Sequence, residues 1–469
     1  MVLVSTRDGR AIRVRRALLP LAAAAAVAVA VMAPGGASAG STAAPSAAAV
    51  TPMEIRVVAP SAAQLARLQT AYDLLEVRRG KDFMVMGDQA TLAALQAEGF
   101  RVKVEKRYAP LPTTRSIARD GVTAAAYATF YGGYHTVAAH RQHLTDVAAA
   151  YPSLTTVVDY GDSWLKRQGR GGNDLLAICI TRKVAGDCAL SPTAPKPRSV
   201  VYAAIHAREL ATAEIAWNWI DYLTTSYGSV TAVTNLLNST EIWVIPVANP
   251  DGRQIVESGG NSPYYQRKNA NDSRGACRRP PTSSNQHGVD MNRNATWHWG
   301  GVGSSSSACT QTYRGTSAAS EPETAAQQAL FNSLFRDRRG TGSGDAAPAD
   351  TTGTFMSYHS YAGLILYPWG DTTADAPNNA KLRALADQMN NANRYTIGQG
   401  PEILYGTTGT TDDDLYGRLG VASFTTELGA SGTSCDGFMP AFSCVGSRFW
   451  PQERQSLMTL AQAAAGPYR

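Results

Sequence analysis

The chain has 469 residues, of which 44% are hydrophobic and 17% are charged, and its formal net charge is +6. This length allows two or three domains with a substantial core, and the composition excludes a wholly disordered chain. Residues 1–120 carry 16 Lys and Arg against 9 Asp and Glu, whereas residues 121–469 carry 27 against 28. Most of the chain is therefore near neutral, and charge gives no reason to expect nucleic acid as a partner.

The first residues have the pattern of an export signal. Five arginines precede an apolar run of 16 residues from 17 to 32, which Ala37-Ser38-Ala39 follow. The run is shorter than the ~20 residues that a membrane-spanning helix needs. We predict a signal peptide over residues 1–39, with a membrane anchor as the alternative. We therefore expect a secreted, extracellular protein that has no membrane partner after signal cleavage and can form disulfides.

Residues 40–120 are predicted to form a small α+β segment and its linker. The predicted elements are a strand over 53–58, a helix from Ser61 to about 76, a strand over 83–86, a helix over 91–98 and a strand over 100–104. Residues 108–126 contain Pro110, Pro112, Arg115 and Arg119 and are predicted to be a linker open to an activating protease. We expect an autoinhibitory propeptide; an accessory substrate-binding domain is the alternative.

Residues 121–469 are predicted to form one α/β domain, a central mixed β-sheet flanked by helices. The predicted strands are 155–159, 175–180, 200–205, 241–247, 364–367 and 422–427. The predicted helices are 135–150, 208–226, 321–336, 379–395 and 450–465. The runs 200–205 and 241–247 are nearly all apolar, which is typical of central strands covered on both faces.

The six cysteines allow 15 pairings, between which the sequence alone cannot choose. Pairing of sequence neighbours would close three surface loops, joining Cys179 to Cys188, Cys277 to Cys309, and Cys435 to Cys444. A cysteine metal site is the alternative, but the sequence has no C-x-x-C spacing to support it.

Two of the seven histidines follow apolar, strand-like runs. His206 lies three residues before Glu209, at the carboxyl end of a predicted strand, where both side chains could reach one metal ion. His359 is the best candidate for a third ligand. We interpret His135, His140 and His143 as surface residues on a helix, and His287 and His298 lie in loop-like sequence.

Five separated motifs then occur in one order. They are His206-Ala207-Arg208-Glu209, Asn249-Pro250-Asp251-Gly252, Gly288-Val289-Asp290-Met291-Asn292-Arg293-Asn294, His359-Ser360-Tyr361 with Leu366-Tyr367-Pro368, and Phe424-Thr425-Thr426-Glu427-Leu428. Over about residues 127–465, this series resembles the zinc metallocarboxypeptidases of the pancreatic carboxypeptidase A and B type, in particular a secreted bacterial member with a propeptide. The resemblance implies a zinc-dependent peptide hydrolase that acts on the C-termini of peptides and proteins.

The resemblance also implies roles for individual residues. His206, Glu209 and His359 would bind one Zn²⁺, and Glu427 would be the general base for a zinc-bound water. Arg267 would polarise the scissile carbonyl. Asn292, Arg293 and Tyr405 would hold the substrate's terminal carboxylate, and Arg208 would serve an outer subsite.

The resemblance connects specificity with Asp412, which lies 15 residues before Glu427. The resemblance places it at the floor of the side-chain pocket, which implies that basic C-terminal residues are accepted, with apolar ones possible beside them. A solvated acidic loop is the alternative, because three aspartates stand in a row. Two other functions are weighed: a zinc amidohydrolase of cell-wall peptides and a binding protein with an inactive enzyme fold. A serine esterase is excluded, since no Asp-x-x-His pair follows Gly161-Asp162-Ser163 near the C-terminus.

Overall fold

The structure is a computed structural model and describes residues 51–108 and 127–469. The predicted signal peptide over 1–39 and nearly all of the predicted linker lie outside the described residues. In the two described ranges, no helix is long and apolar enough to cross a membrane.

The first range folds as a four-stranded antiparallel sheet in the order β2-β3-β1-β4, with two helices. Its elements are β1 Met53–Val57, α1 Ala62–Ala71, β2 Asp73–Arg79, β3 Asp82–Gly87, α2 Gln89–Ala97 and β4 Val102–Arg107. Ser61 caps α1 as predicted, through a capping box with Gln64. We call residues 51–108 the small domain.

The predicted helix from Ser61 to about 76 is wrong at its end. The helix stops at Ala71, and β2 forms a hairpin with β3 around Gly80, whose φ is +62°. Leu74, Leu75 and Val77 of this strand are all buried, so both of its faces are covered. The sequence therefore shows neither the alternation of a half-exposed strand nor the 3.6-residue period of a helix. The order is therefore βαββαβ and not βαβαβ.

The second range, the large domain, is built on an eight-stranded mixed sheet in the order β13-β12-β14-β11-β9-β10-β8-β7. The strands of this sheet are β7 Thr155–Asp162, β8 Asp174–Ile180, β9 Arg198–Ala203, β10 Glu241–Ile245, β11 Thr354–Ser360, β12 Leu364–Leu366, β13 Thr396–Gly398 and β14 Ala422–Leu428. Two short strands, β5 Thr129–Phe130 and β6 Tyr134–His135, form a separate two-stranded sheet. The helices of the large domain are α3 Val137–Ala150, α4 Trp164–Arg167, α5 Leu210–Ser226, α6 Thr231–Ser239, α7 Pro250–Glu257, α8 Pro322–Leu334, α9 Asn379–Met389, α10 Gly400–Ile403, α11 Thr411–Leu419 and α12 Trp450–Gln462. The predicted α/β class with a mixed central sheet is confirmed.

The four central strands β14, β11, β9 and β10 are parallel to one another. Every residue of β9 and β10 is buried, as the apolar runs predict. Parallel strands end at the same edge of a sheet, so the segments that follow β9, β11 and β14 meet there. This edge carries the candidate site.

The three histidines near the start of the large domain are not surface residues. His140 and His143 are buried, and the rings of His135 and His143 stack on opposite sides of Trp217 with centroid separations of 3.9 and 3.6 Å. His140 and His143 lie three residues apart on α3 and so face the same way, toward α5.

The neighbour pairing of the cysteines is confirmed, with disulfides Cys179–Cys188, Cys277–Cys309 and Cys435–Cys444. They are not all surface clamps, however: Cys179 is fully buried on β8, and Cys188, Cys435 and Cys444 are also buried. Only the Cys277–Cys309 bridge closes a long loop, with a sequence separation of 32 residues against 9 for each of the others.

Candidate metal centre and substrate pocket

The segment between β9 and α5 carries His206 and Glu209. The strand ends at Ala203 and the helix begins at Leu210, so the two side chains extend from an irregular connection rather than from a helical turn. Side chains fix this connection: Asn249 Nδ2 donates to the Ile205 carbonyl at 3.1 Å. The N–H of Ala207 also donates to the carbonyl of Arg267, at 3.0 Å.

His359 lies near the end of β11, beside β9. Its Nδ1 is 3.0 Å from Nδ1 of His206 and 3.2 Å from Oε2 of Glu209. Oε1 of Glu209 lies 2.7 Å from Nδ1 of His206. All three side chains are buried, and in the described part of the chain they form the one group of three potential ligands whose atoms converge within 4.8 Å.

The surroundings of the two imidazoles fit a bound cation. Nε2 of His206 faces Oδ1 of Asp290 at 3.3 Å, and Nε2 of His359 is 3.0 Å from Oγ of Ser357. Each Nε2 therefore has an acceptor for its proton, which assigns the Nδ1 lone pairs to the shared centre. Burial and the nearby Arg267 lower the pKa of both imidazoles, that of His359 to about 4, so both are neutral. Two neutral imidazoles and a carboxylate are a typical ligand set for catalytic zinc.

Glu427 lies on β14 directly beside His359, its register partner on β11. The side chain is buried, and its Oε2 has no hydrogen-bond partner among the described residues. Burial, together with the charges of Glu76 and Glu209, raises the pKa of Glu427 well above its usual value. A carboxyl group with a raised pKa is suited to exchanging a proton during a reaction.

Arg267 reaches the same centre through Asp290. Its Nε donates to Oδ2 of Asp290 at 3.0 Å, while Oδ1 of that carboxylate faces His206 and also accepts from the N–H of Asn292 at 3.0 Å. Burial opposes the charge on Asp290, but Arg267 and His206 overcome it and hold the pKa of Asp290 below its usual value. Asp290 thus joins the metal ligands, the arginine and the next segment of the site. The sequence motif contained it, but no role could be read from it there.

A narrow cavity opens in front of these residues. Its lining includes eight of the predicted site residues: His206, Arg267, Asn292, Arg293, His359, Tyr405, Asp412 and Glu427. Nε and Nη1 of Arg293 donate to the carbonyls of Gly303 and Asn292 at 2.8 and 2.7 Å, which fixes the guanidinium in the wall. Of the other two predicted residues, Glu209 lies in the ligand cluster, whereas Arg208 lies outside the lining.

The small domain covers this cavity. Glu76, on β2, lines it, and the hydroxyl of Tyr405 donates to Oε1 of Glu76 at 3.2 Å and to the Leu74 carbonyl at 3.0 Å. The cavity that remains measures about 50 Å³. That volume holds water but not an amino-acid residue.

Arg208 faces the small domain instead of the cavity. Its Nη2 donates to Oδ1 of Asp73 at 2.8 Å, its Nη1 contacts Oδ2, and its guanidinium lies 3.9 Å from the ring centroid of Phe438. Arg208 and Asp73 are both buried. Neither Asp73 nor Glu76 was predicted from the sequence, because their partners, Arg208 and Tyr405, lie far away along the chain.

Asp412 is buried at the start of α11, where its Oδ2 accepts from the hydroxyl of Thr425 at 3.0 Å. The alternative of a solvated acidic loop is wrong, since Asp412, Asp413 and Asp414 are all buried in a helix. Asp412 is the one of the three that lines the cavity.

The chain was compared with known proteins. The family model described as zinc carboxypeptidase matches residues 140–459. Carboxypeptidase B2 of Homo sapiens is 29% identical over 330 residues, which cover 68% of each chain. A metallocarboxypeptidase A-like protein of Trichophyton verrucosum is 26% identical over 350 residues, or 71% of each chain.

Two solved structures share the fold. The crystal structure of thrombin activatable fibrinolysis inhibitor matches with a TM-score of 0.65 at 21% identity, covering 89% of this chain and 99% of that one. Carboxypeptidase A from Helicoverpa armigera matches with a TM-score of 0.67 at 22% identity, covering 89% and 98%. The likeness therefore extends beyond the large domain into the small one.

Proposed function

Because the chain belongs to the zinc carboxypeptidase family, whose activity is zinc-dependent hydrolysis at peptide C-termini, we propose that it is a secreted carboxypeptidase made as an inhibited precursor. The single observation that supports the proposed site most strongly is the convergence of His206, Glu209 and His359 beside Glu427. A cavity with a fixed arginine in its wall, Arg293, lies directly in front of this cluster.

The proposed roles follow from the chemistry of each group. His206, Glu209 and His359 would hold the zinc ion, which would supply Lewis-acid chemistry to the scissile carbonyl and the attacking water. Glu427 takes the proton from that water and delivers it to the leaving amine. Arg267, always charged, donates hydrogen bonds to the carbonyl oxygen as negative charge develops there.

The cavity wall would recognise the free C-terminus. Arg293 can pair with the terminal carboxylate, and Asn292 and Tyr405 can add hydrogen bonds. Such a carboxylate clamp selects exopeptidase over endopeptidase cleavage, because an internal residue of a peptide has no carboxylate to offer at this position. Asp412 in the lining then favours Lys and Arg at the C-terminus.

We further propose that residues 40–120 are the inhibitory propeptide, preceded by a signal peptide over 1–39 and removed by a protease that cuts the linker, leaving residues 121–469 as the enzyme. The support is the small domain's own contacts: Glu76 lines the cavity and accepts from the Tyr405 hydroxyl, and Asp73 pairs with Arg208. Gln69 Nε2 also donates to the carbonyl of Gly406, next to Tyr405, at 3.3 Å. Three disulfides are consistent with export.

The test compares Glu427→Gln with wild type after processing. We expect E427Q to bind one zinc per chain and to lose about 10²–10⁴-fold in kcat, since the base is gone while the ligands remain. The matched control is Glu257→Gln, because Glu257 is half-buried on α7 against Arg253 and the N–H of Val137, and it is not among the residues that line the cavity. An E427Q enzyme as active as E257Q would contradict the mechanism.

Substrate class is tested on the same processed enzyme with N-acyl dipeptides ending in Arg, Lys, Phe or Leu and with a cell-wall muropeptide. We expect the Arg and Lys substrates to be preferred and Asp412→Asn to lose at least tenfold of that preference. Hydrolysis of the muropeptide alone would favour the cell-wall amidohydrolase instead.

A further inference from the structure

The backbone that carries Arg267 is neither helix nor strand. Residues 265–269 run as irregular chain through the interior, and Gln266, Arg267, Lys268 and Asn269 are all buried. Buried N–H and C=O groups need partners, and without a helix or a sheet these must come from elsewhere. At this segment, glutamine side chains supply several of them.

Gln286 bonds to four backbone groups at once, three of which belong to this segment. Its Oε1 accepts from the N–H of Arg267 at 2.6 Å and from that of Lys268 at 3.2 Å. Its Nε2 donates to the carbonyls of Tyr265 and Thr282 at 2.8 and 3.0 Å. With the amide reversed, its NH₂ group would face two N–H groups and its oxygen two carbonyl oxygens. The partners therefore fix the orientation of the amide.

Gln286 is itself anchored. Its backbone N–H donates at 3.1 Å to the carbonyl of Cys309, which the disulfide ties to Cys277. Nζ of Lys268 also donates to the carbonyls of Ala308 and Thr310, the two neighbours of Cys309, at 2.8 and 2.7 Å. The disulfide-closed loop therefore contacts the Arg267 segment at two points, through Gln286 and through residues 308–310.

We propose that Gln286 is a positioning residue for Arg267, acting through the main chain. Asp290 orients the guanidinium of Arg267 only through Nε, at 3.0 Å. Gln286 instead holds the backbone N–H of Arg267, and so the point from which the side chain extends. A donor that must meet a developing oxyanion depends on placement to a fraction of an ångström. This inference rests on the proposed role of Arg267 and adds the residue that holds it.

The test is a double-mutant cycle between Gln286→Met and Arg267→Met in the processed enzyme. Methionine keeps the shape of glutamine without its hydrogen bonds. We expect R267M to lower kcat by about 10²–10³-fold and Q286M by about 10–10²-fold, with KM within about threefold of wild type. The Q286M/R267M enzyme should be within about threefold of R267M alone, because Gln286 acts through Arg267.

The matched control is Gln311→Met. Gln311 is a buried glutamine that grips the same loop, donating to the carbonyl of Ser283 at 2.5 Å, and it does not contact Arg267. Its kcat should stay within about twofold of wild type. If Q286M does not fold, Gln286→Asn replaces it in the cycle, because the shorter side chain withdraws its amide from the N–H groups of Arg267 and Lys268. Gln286→Glu keeps an oxygen for these two N–H groups, so Q286E should be at least threefold faster than the variant used in the cycle.

The outcomes separate the inference from the proposed function. An unchanged kcat for R267M would refute the role of Arg267 itself. A slow R267M with additive losses in the double variant, or with an equal loss in Q311M, would leave that role intact and overturn the positioning role of Gln286. All variants are scored at equal zinc content, so that metal loss cannot imitate either result.

Discussion

The ion pair between Asp73 and Arg208 offers the sharpest test of inhibition by the small domain. The exposed fractions of these side chains are 3% and 0%, and the pair joins the two domains. Removing one partner of a buried pair leaves the other charge uncompensated, which costs about 3–5 kcal/mol. In Asp73→Ala, Phe438 still covers the Arg208 guanidinium at 3.9 Å, so we expect a loss near the lower limit. A cost of ~3 kcal/mol raises the open fraction of the precursor about 10²-fold.

The assay follows hydrolysis of a small N-acyl dipeptide by the uncut precursor, before and after cleavage of the linker. Because Asp73 lies in the segment that is removed, the processed enzymes from wild type and D73A are the same molecule. Any difference between the precursors therefore measures the small domain alone. The control is Glu98→Ala, which breaks an exposed pair with Arg67 inside the small domain.

We expect the uncut D73A precursor to be about 10²-fold more active than the uncut wild-type precursor, and E98A to be within about twofold of it. Equal activity of uncut D73A and uncut wild type, with full activity of both after cleavage, would refute the reasoning. So would a wild-type precursor that is already as fast as its processed form, since the small domain would then not inhibit.

Two further properties are predictable from buried groups of the large domain. Burial raises the pKa of Glu453 to about 7, although Tyr358 and Asn393 donate hydrogen bonds to its carboxylate. The folded state therefore keeps a proton on Glu453 that the unfolded state loses above a pKa of about 4.5. The free energy of unfolding consequently falls as the pH rises from about 4.5 to about 7. The free energy of unfolding of Glu453→Gln should gain up to about 3 kcal/mol on wild type between pH 5 and 8, and a pH-independent difference in denaturant titrations would contradict this. Replacing Cys277 and Cys309 by Ser should lower the free energy of unfolding by about 1 kcal/mol more than the same change at the Cys435–Cys444 bridge, because the Cys277–Cys309 bridge closes a longer loop. The replacement should also raise KM, since Arg293 lies inside that loop. An unchanged KM would show that the loop keeps its shape without the disulfide.

The sequence predicted the large domain well because its central strands are apolar throughout and its helices are regular. β11 is absent from the predicted strands although His359 was placed after a strand-like run, because Ser357, Tyr358, His359 and Ser360 interrupt the apolar pattern there. Of these four, His359 and its partner Ser357 belong to the site, and each polar hydroxyl or ring replaces an apolar side chain in the centre of the sheet. The hydroxyl of Tyr358 donates to Glu453, and Nε2 of His359 is hydrogen-bonded to Oγ of Ser357. Local hydrophobicity is least informative where a strand carries function.

The site residues were found through the resemblance, whereas the residues that support or cover them were not. Tyr405 and Glu76 are 329 positions apart, and Arg208 and Asp73 are 135 apart. No periodicity or spacing connects such pairs. Gln286 is a further case, since a buried glutamine bonded only to backbone atoms leaves no signature that separates it from a loop residue.

The three aspartates of α11 show how one pattern can support opposite interpretations. A run of three acidic residues suggests a solvated loop, yet each carboxylate here has its own task. Asp414 accepts from the N–H groups of Thr296 and Trp297, both at 3.0 Å, and Asp413 accepts from the N–H of Gly370 at 2.8 Å. These two join separate loops to the first turn of the helix, whose dipole favours negative charge. Asp412 is thereby left facing the cavity, so its neighbours fix the wall from which it would meet a basic side chain.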